Sequence, residues 1–337
     1  MKVFMIGGTG LLGSAAAAEF IKRGHSVKTI ALPDLPKGAE LPKEMELTMG
    51  SFFDMSDEEI LKAMEGCDCF VFAAGVDERV DFPKPVYPSY IKYNIEPVRR
   101  FLTLSKQAGI TKAVILGSYF AHFAKVRPEM ELTKIHPYIR SRIEQEDVAL
   151  SFAEDGTMDV SVMELPYIFG TQKGRKPVWT IFVEQIAKMG PVTMYPKGGT
   201  AMVTVRQVAE SIVGAAELNK GGNAYPIGMY NYTWDEYLKI VHRAMGQPNR
   251  PIIHVPKFLY KTFAVSLRKA KEKEGIETGL DYVELAEILY SKFYIDPKTA
   301  KKLGVQEDNI DANIYESMKV SVDAYYKNLD LLEMKVE

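Results

Sequence analysis

Apolar and polar positions in the first half of the chain alternate between short apolar runs and longer amphipathic ones. Lys2–Ile6, Val27–Leu32, Glu46–Met49, Cys69–Ala74, Ala113–Leu116 and Val160–Met163 are short runs, most of them rich in Val, Ile, Phe and Met, and each predicts a strand. Between them, Leu11–Arg23, Ser56–Glu65, Tyr90–Ala108 and Pro137–Ala153 predict helices. Gly24 and Gly109 follow two of these directly, and Ser56 with Glu59 forms a capping box at the start of another. A run such as Cys-Phe-Val-Phe-Ala-Ala at 69–74 is apolar on both faces, so it belongs in a sheet covered by helices on both sides. The expectation is an α/β fold built on a doubly wound parallel sheet with right-handed crossovers.

After Leu165 the pattern becomes irregular, punctuated by Gly170, Gly174, Pro177, Gly190, Pro191, Pro196, Gly198 and Gly199. Val203–Leu218 and Ala224–Ile227 predict a return to the sheet. Thr233–Met245, Lys257–Lys273 and Ala312–Asn328 predict helices of a smaller, mostly helical C-terminal substrate lobe. We therefore expect residues 1–165 to form the sheet domain, completed by about 200–228, and residues 166–199 and 229–330 to form the second lobe. The mixed-charge run Lys269–Glu274 reads as a solvated helix end.

Composition narrows the function classes. With 337 residues, 47% hydrophobic and 26% charged, and a net charge of −2, the chain has a sizeable core and no basic footprint for nucleic acid. No apolar run approaches the roughly 20 residues that cross a bilayer. Cys67 and Cys69 are the two cysteines, too few for a disulfide framework, so a reducing cytoplasm is the expected setting. Without a second pair nearby they read as small residues of a buried strand and not as metal ligands; no metal site is expected.

The most specific chemistry follows the first strand. Residues 7–13 read Gly-Gly-Thr-Gly-Leu-Leu-Gly and open the first helix. Gly7, Gly10 and Gly13 suit a tight turn that brings backbone N–H groups against a pyrophosphate at a positive helix N-terminus. Gly7, Thr9, Gly10, Leu11, Leu12 and Gly13 are thus the expected dinucleotide contacts, with Ala73, Ala74 and Gly75 small where the cofactor must pass and Asp54 placed for the adenine edge. NAD sites end the second strand with an acid for the ribose hydroxyls. Here that place, near Ala31, has none; Asp34 comes late and Lys37 is a cation for a 2′-phosphate, which tilts the reading to NADP over NAD.

Gly7–Gly13, Ala73–Gly75, Asn94 in the following helix, Gly117-Ser118 after the fifth strand and Tyr138 further on resemble the extended short-chain dehydrogenase/reductase family, which includes NAD-dependent epimerases and dehydratases. Pro166–Gly170, Val203–Ala209 and Asp296–Gly304 extend the resemblance to nearly the whole chain. It implies a Rossmann sheet, an enzyme using NAD(P), a small-molecule substrate, a homodimer, Pro166 beside the nicotinamide, and Tyr138 exchanging a proton with the substrate oxygen. It further implies that Ser118 steadies that oxygen and Asn94 supports a water-linked proton route. A cation four residues on shares the tyrosine's helix face and favours the phenolate over a free pKa of about 10. Here the pair is Tyr138–Arg142, where the family carries lysine, and a guanidinium is not interchangeable with an ammonium. Tyr294–Lys298 and Tyr315–Lys319 spell the full motif, but far past the cofactor core; Tyr119 is another candidate donor.

Other residues remain open at this level. His122 and His136 flank the site as polar lining. Glu164 is expected to pair with Arg140, Arg142 or Arg175. Trp179, Phe182, Met189, Met194 and Tyr195 suit either core or pocket. Relatives acting on nucleotide sugars hold a second pyrophosphate with arginine before the return element; here Lys197–Met202 contains none, leaving Lys173, Arg175 or Lys197 to compensate. The expected activity is oxidoreduction of a hydroxyl or carbonyl group. A nucleotide-sugar epimerase or dehydratase and a non-catalytic NAD(P)-binding regulator are the alternatives.

Overall fold

The computed structural model describes residues 1–33, 35–327 and 329–333, so Asp34 and Asn328 lie outside the described residues. Seven strands pair in one parallel sheet, in the order Glu46–Met49, Ser26–Ala31, Lys2–Ile6, Cys69–Phe72, Lys112–Ser118, Asp159–Leu165 and Gly222–Pro226. Strand alternation divides the first strand's side chains between two cores. Val3 and Met5 pack with Ala16, Ala17 and Phe20 of helix Leu11–Lys22 and Val208 and Ile212 of helix Val205–Leu218. Phe4 and Ile6 face the other way, onto Ile60 and Met64 of helix Asp57–Met64 and Phe101 and Leu102 of helix Glu96–Gln107. There Phe70 and Phe101 stack with ring centroids 5.5 Å apart. The continuous apolar character of the central strands thus has a direct cause: both faces are covered.

Strand Gly199–Thr204 does not return to this sheet. It centres a second one, pairing antiparallel with Tyr230–Thr233 and parallel with Tyr167–Phe169 and Lys292–Phe293. Among the described residues, only Gly222–Pro226 joins the main sheet after residue 165. Helices Thr180–Ala187, Trp234–Ala244 and Ile310–Lys327 pack around Tyr237, Val241, Ile314 and Met318. Trp179 stacks on Phe169 at 4.6 Å in this cluster, which makes it and buried Phe182 core residues, whereas Met194 is exposed. The cysteines are free and buried, and burial pushes the Cys69 thiol up to about 12. The Lys269–Glu274 run closes the exposed end of helix Lys257–Lys273, as its charge pattern predicts.

The helical stretch 87–107 contains a widened π-type turn at Ile91–Ile95. Pro97, with no N–H to offer, lies just beyond that turn, the local condition under which a helix departs from regular hydrogen bonding. The turn carries Asn94, fully buried, toward the end of the neighbouring strand.

Gly214 shows how closely the layers approach. A Cβ there would lie 1.9 Å from the backbone oxygen of Leu303. Gly214→Ala is expected to lower the unfolding free energy by about 1–3 kcal/mol, seen as a lower urea midpoint at unchanged m. An unmoved midpoint would refute this packing.

Candidate active site

The glycine turn is shaped by backbone approach. Gly7 has φ +87°, and a Cβ on it would come within 2.4 Å of the Ala73 oxygen; one on Gly13 would come within 2.1 Å of the Gly7 oxygen. Gly10 caps helix Leu11–Lys22 with no side-chain hydrogen bond, and no acid stands in its first turn, so the N-terminal amides keep their positive field. Thr29 Oγ1 accepts from Gly8 N at 3.1 Å and donates to Met5 O at 2.9 Å, tying the second strand to the turn. Such a cradle, which a Cβ would fill, fits a dinucleotide pyrophosphate. The ribose end is less well supplied. Lys37 is ion-paired with Asp330 at 2.5 Å, so the cation expected for a 2′-phosphate already has a partner. Asp54 lies exposed in the turn after the third strand, its N–H bonded to Ser51 O.

From the turn a chain of contacts runs to Tyr138. Gly7 packs on Ala73; Gly75, with φ +119°, lies so close to Asn94 that a Cβ would be 2.7 Å from its Oδ1. Asn94 Oδ1 accepts from Val76 N at 2.8 Å and Asn94 Nδ2 donates to Val76 O at 3.0 Å. Arg142 Nη2 donates to the same Val76 oxygen at 3.0 Å, and its Nη1 to Gln145 Oε1 at 2.9 Å. Gln145 Nε2 in turn donates to Asn94 O at 2.8 Å. The Arg142 guanidinium lies 5.0 Å from the Tyr138 ring centroid, and its buried Nε has no partner among the described residues. The guanidinium is therefore directed at a loop backbone and a phenol. Gln145, i+3 from Arg142, is a participant that spacing alone does not single out.

Tyr138 is 4% exposed. Tyr90 and Phe120 meet its ring edge-on at 5.6 and 6.3 Å, and its N–H donates to Gly279 O at 3.0 Å. Gly279 is confined to glycine, since a Cβ would lie 1.9 Å from the Tyr90 hydroxyl. Burial pushes the Tyr138 phenol above its ordinary value; Arg142 pulls it down, and Glu78 and Asp77 push it up. The expectation that Arg142 brings this phenol toward neutrality is thus corrected: desolvation outweighs the cation, and Tyr138 is a protonated phenol at neutral pH. Burial likewise raises Tyr90, Tyr119 and Tyr167, with Glu78 adding to each. The Asp77-Glu78-Arg79 loop following Val76 therefore lies within electrostatic reach of all these phenols. Asp77 and Arg79 are ion-paired there.

Ser118 ends the fifth strand, caps helix Tyr119–Val126 and accepts from Phe120 N at 3.3 Å. Tyr119 bonds Thr200 Oγ1 at 3.1 Å. Pro166 links strands Asp159–Leu165 and Tyr167–Phe169. Tyr294 lies against Gly199 and Tyr315 is exposed on the last long helix. His136 is buried, its Nδ1 accepting from Asp281 N at 3.1 Å, and burial lowers it to about 4, a neutral imidazole. Among the described residues no group of three acidic, His or Cys side chains has metal-binding geometry, and no helix is long and apolar enough to cross a membrane.

Glu164 pairs with none of the three arginines. It is 1% exposed and bridged to Lys125 at 2.9 Å; Lys125 also contacts Glu146, and His122 Nδ1 stands 3.7 Å away. Glu146 follows Tyr138 and Arg142 at four-residue intervals on one helix face, a spacing that marks it in hindsight.

The sequence model described as "NAD dependent epimerase/dehydratase family" matches residues 3–228. The chain belongs to this family. Members are NAD-dependent enzymes of the extended short-chain dehydrogenase type, and solved structures share the fold over nearly the full length. The protein gox2253 aligns with TM-score 0.73 at 21% identity, covering 97% of this chain and 98% of its own. A nucleoside-diphosphate-sugar epimerase from Pseudomonas aeruginosa aligns at 0.66 and 16%, covering 97% and 98%. UDP-glucuronic acid 4-epimerase from Bacillus cereus, solved with NAD, aligns at 0.67 and 12%, covering 97% and 98%. No curated protein matches the chain significantly.

The Glu164 cluster makes a pH prediction for this family member. Burial, opposed by Lys125 and reinforced by Glu146, raises the Glu164 carboxyl to about 7 from an ordinary 4.5. Between those values the folded state holds a proton that the unfolded state has released, so stability falls as pH rises from 4.5 to about 7. Glu164→Gln leaves Lys125 its Glu146 partner and is expected to flatten that window and raise stability at pH 8 by about 1–3 kcal/mol. Urea unfolding across pH checks this; parallel curves for both proteins would contradict it.

Proposed function

We propose that the chain is an NAD-dependent oxidoreductase acting on a secondary hydroxyl or carbonyl of a small organic substrate, with Tyr138 as proton donor and acceptor. The observation that carries this reading is the unbroken contact path from Gly7 through Ala73, Gly75, Asn94 and Arg142 to Tyr138, which joins a phosphate cradle to a buried phenol. Gly7, Thr9, Gly10, Leu11, Leu12 and Gly13 would hold the pyrophosphate, with Ala73, Ala74, Gly75 and Pro166 along the nicotinamide half and Asp54 toward the adenine. A bound nicotinamide supplies hydride transfer at the carbinol carbon. Tyr138 protonates the carbonyl oxygen in the reductive direction, which suits a phenol kept protonated by burial. Ser118 orients the same oxygen, Arg142 stabilises the phenolate left behind, and Asn94 holds the loop over the site. NAD is favoured over NADP because related structures solved with a cofactor carry NAD.

An uncharged substrate is favoured by the second lobe. The return strand holds Thr200, Ala201 and Met202, all buried, and residues 197–202 contain no arginine for a second diphosphate. Nucleotide-sugar epimerisation is the second reading, supported by the epimerases among the structural relatives. It predicts NAD(H) retained through purification, because an epimerase must return the hydride it removes.

Nicotinamide absorbance during incubation with secondary alcohols and NAD, or carbonyls and NADH, tests the proposal. Tyr138→Phe is expected to lower kcat about 10²- to 10⁴-fold with NAD affinity unchanged. Alcohol oxidation should accelerate as pH rises through and beyond the neutral range, since the raised phenol must lose its proton. Full turnover by the Phe variant would refute the assignment.

A further inference from the structure

The segment after strand Tyr167–Phe169 crosses the mouth of the glycine turn. Gln172 Nε2 donates to Thr9 O at 3.0 Å and to Ser14 Oγ at 3.1 Å, so its amide spans the start of helix Leu11–Lys22. Arg175 Nε donates to Gln172 Oε1 at 2.7 Å, which holds the guanidinium above the same helix end. The backbone carrying Arg175 is fixed from two sides. Gly174, with φ +78°, lies so close to the loop after the second strand that a Cβ would sit 2.3 Å from Lys37 O. Leu332 N donates to Gly174 O at 2.9 Å and Lys176 N to Leu332 O at 3.0 Å, with Lys37–Asp330 and Lys176–Glu333 ion pairs flanking the bridge.

Within this frame the guanidinium is half-buried, and among the described residues no carboxylate pairs with it or offsets its burial. A partly desolvated cation beside a helix N-terminus is unfavourable unless an anion arrives to share both fields. Glycine amides present donors from one side, and Arg175 presents charged donors from the other. Phosphate oxygens accept from such a fork in bidentate geometry.

We propose that Arg175, presented by Gln172 and braced by the Gly174–Leu332 pairing, binds the cofactor's pyrophosphate opposite the glycine turn, an inference that rests on reading this cleft as the NAD site. Arg175 is then a cofactor cation and not a substitute for the arginine missing from the return strand.

The test titrates the full-length protein calorimetrically with NAD, ADP-ribose and adenosine, as wild type, Arg175→Ala and Arg175→Lys. Arg175→Ala is expected to weaken NAD and ADP-ribose about 10-fold or more while adenosine binding and the ligand-free melting temperature hold. Arg175→Lys should recover part of the loss, and the wild-type affinity should fall more steeply with salt than that of the Ala variant. Unchanged NAD and ADP-ribose affinity, or an equal loss for adenosine, overturns the assignment. A wild-type protein that binds none of the three overturns the dinucleotide reading itself, and this inference with it.

Discussion

Everything around the proposed reaction centre hangs on one carbonyl. Val76 O accepts from Asn94 Nδ2 and Arg142 Nη2, and Val76 N donates back to Asn94, so the loop after the central strand is tied to two helices at a single residue. Such buried networks are rigid because breaking one member strands the others in a medium without water. The widened turn at Ile91–Ile95, the glycine at 75 and the Arg142–Gln145 contact all serve this junction. It places Asp77, Glu78 and Arg79 within electrostatic reach of the phenol and leaves the guanidinium against its ring.

The arginine question has a physical answer in that junction. A planar fork of five donors can bind a backbone oxygen and a glutamine while still lying against an aromatic ring, in a fixed geometry that a compact ammonium does not impose. The departure from lysine therefore exchanges a mobile point charge for a structural tie that keeps its charge. Its electrostatic pull is the smaller effect: desolvation of Tyr138 exceeds it, and the nearby carboxylates act with desolvation.

Much of the scaffold was legible in the chain, because local pattern and global layer agree. Cys69–Phe72 is apolar throughout because helices cover both faces, and the Ser56–Glu59 capping box lies where its spacing indicates. Gly7 and Gly13 were readable because turn geometry is a local demand. Residues whose partners are distant in sequence were not. Gly199–Thr204 has the texture of any buried strand, and only its pairing with Tyr230–Thr233 decides which sheet it joins. Glu164 found Lys125 and not an arginine, and Gln172 reached back to Thr9, through contacts that no periodicity encodes.

One late segment has a consequence for how activity is assembled. The phosphate cradle is built within the first strand–helix unit and its neighbour at Ala73, but the surface that dries Tyr138 includes Gly279, more than a hundred residues further along. The two ends of the proposed site therefore draw on stretches of chain far apart in sequence. A change in that late segment would alter the phenol's surroundings while leaving the glycine turn's own contacts in place.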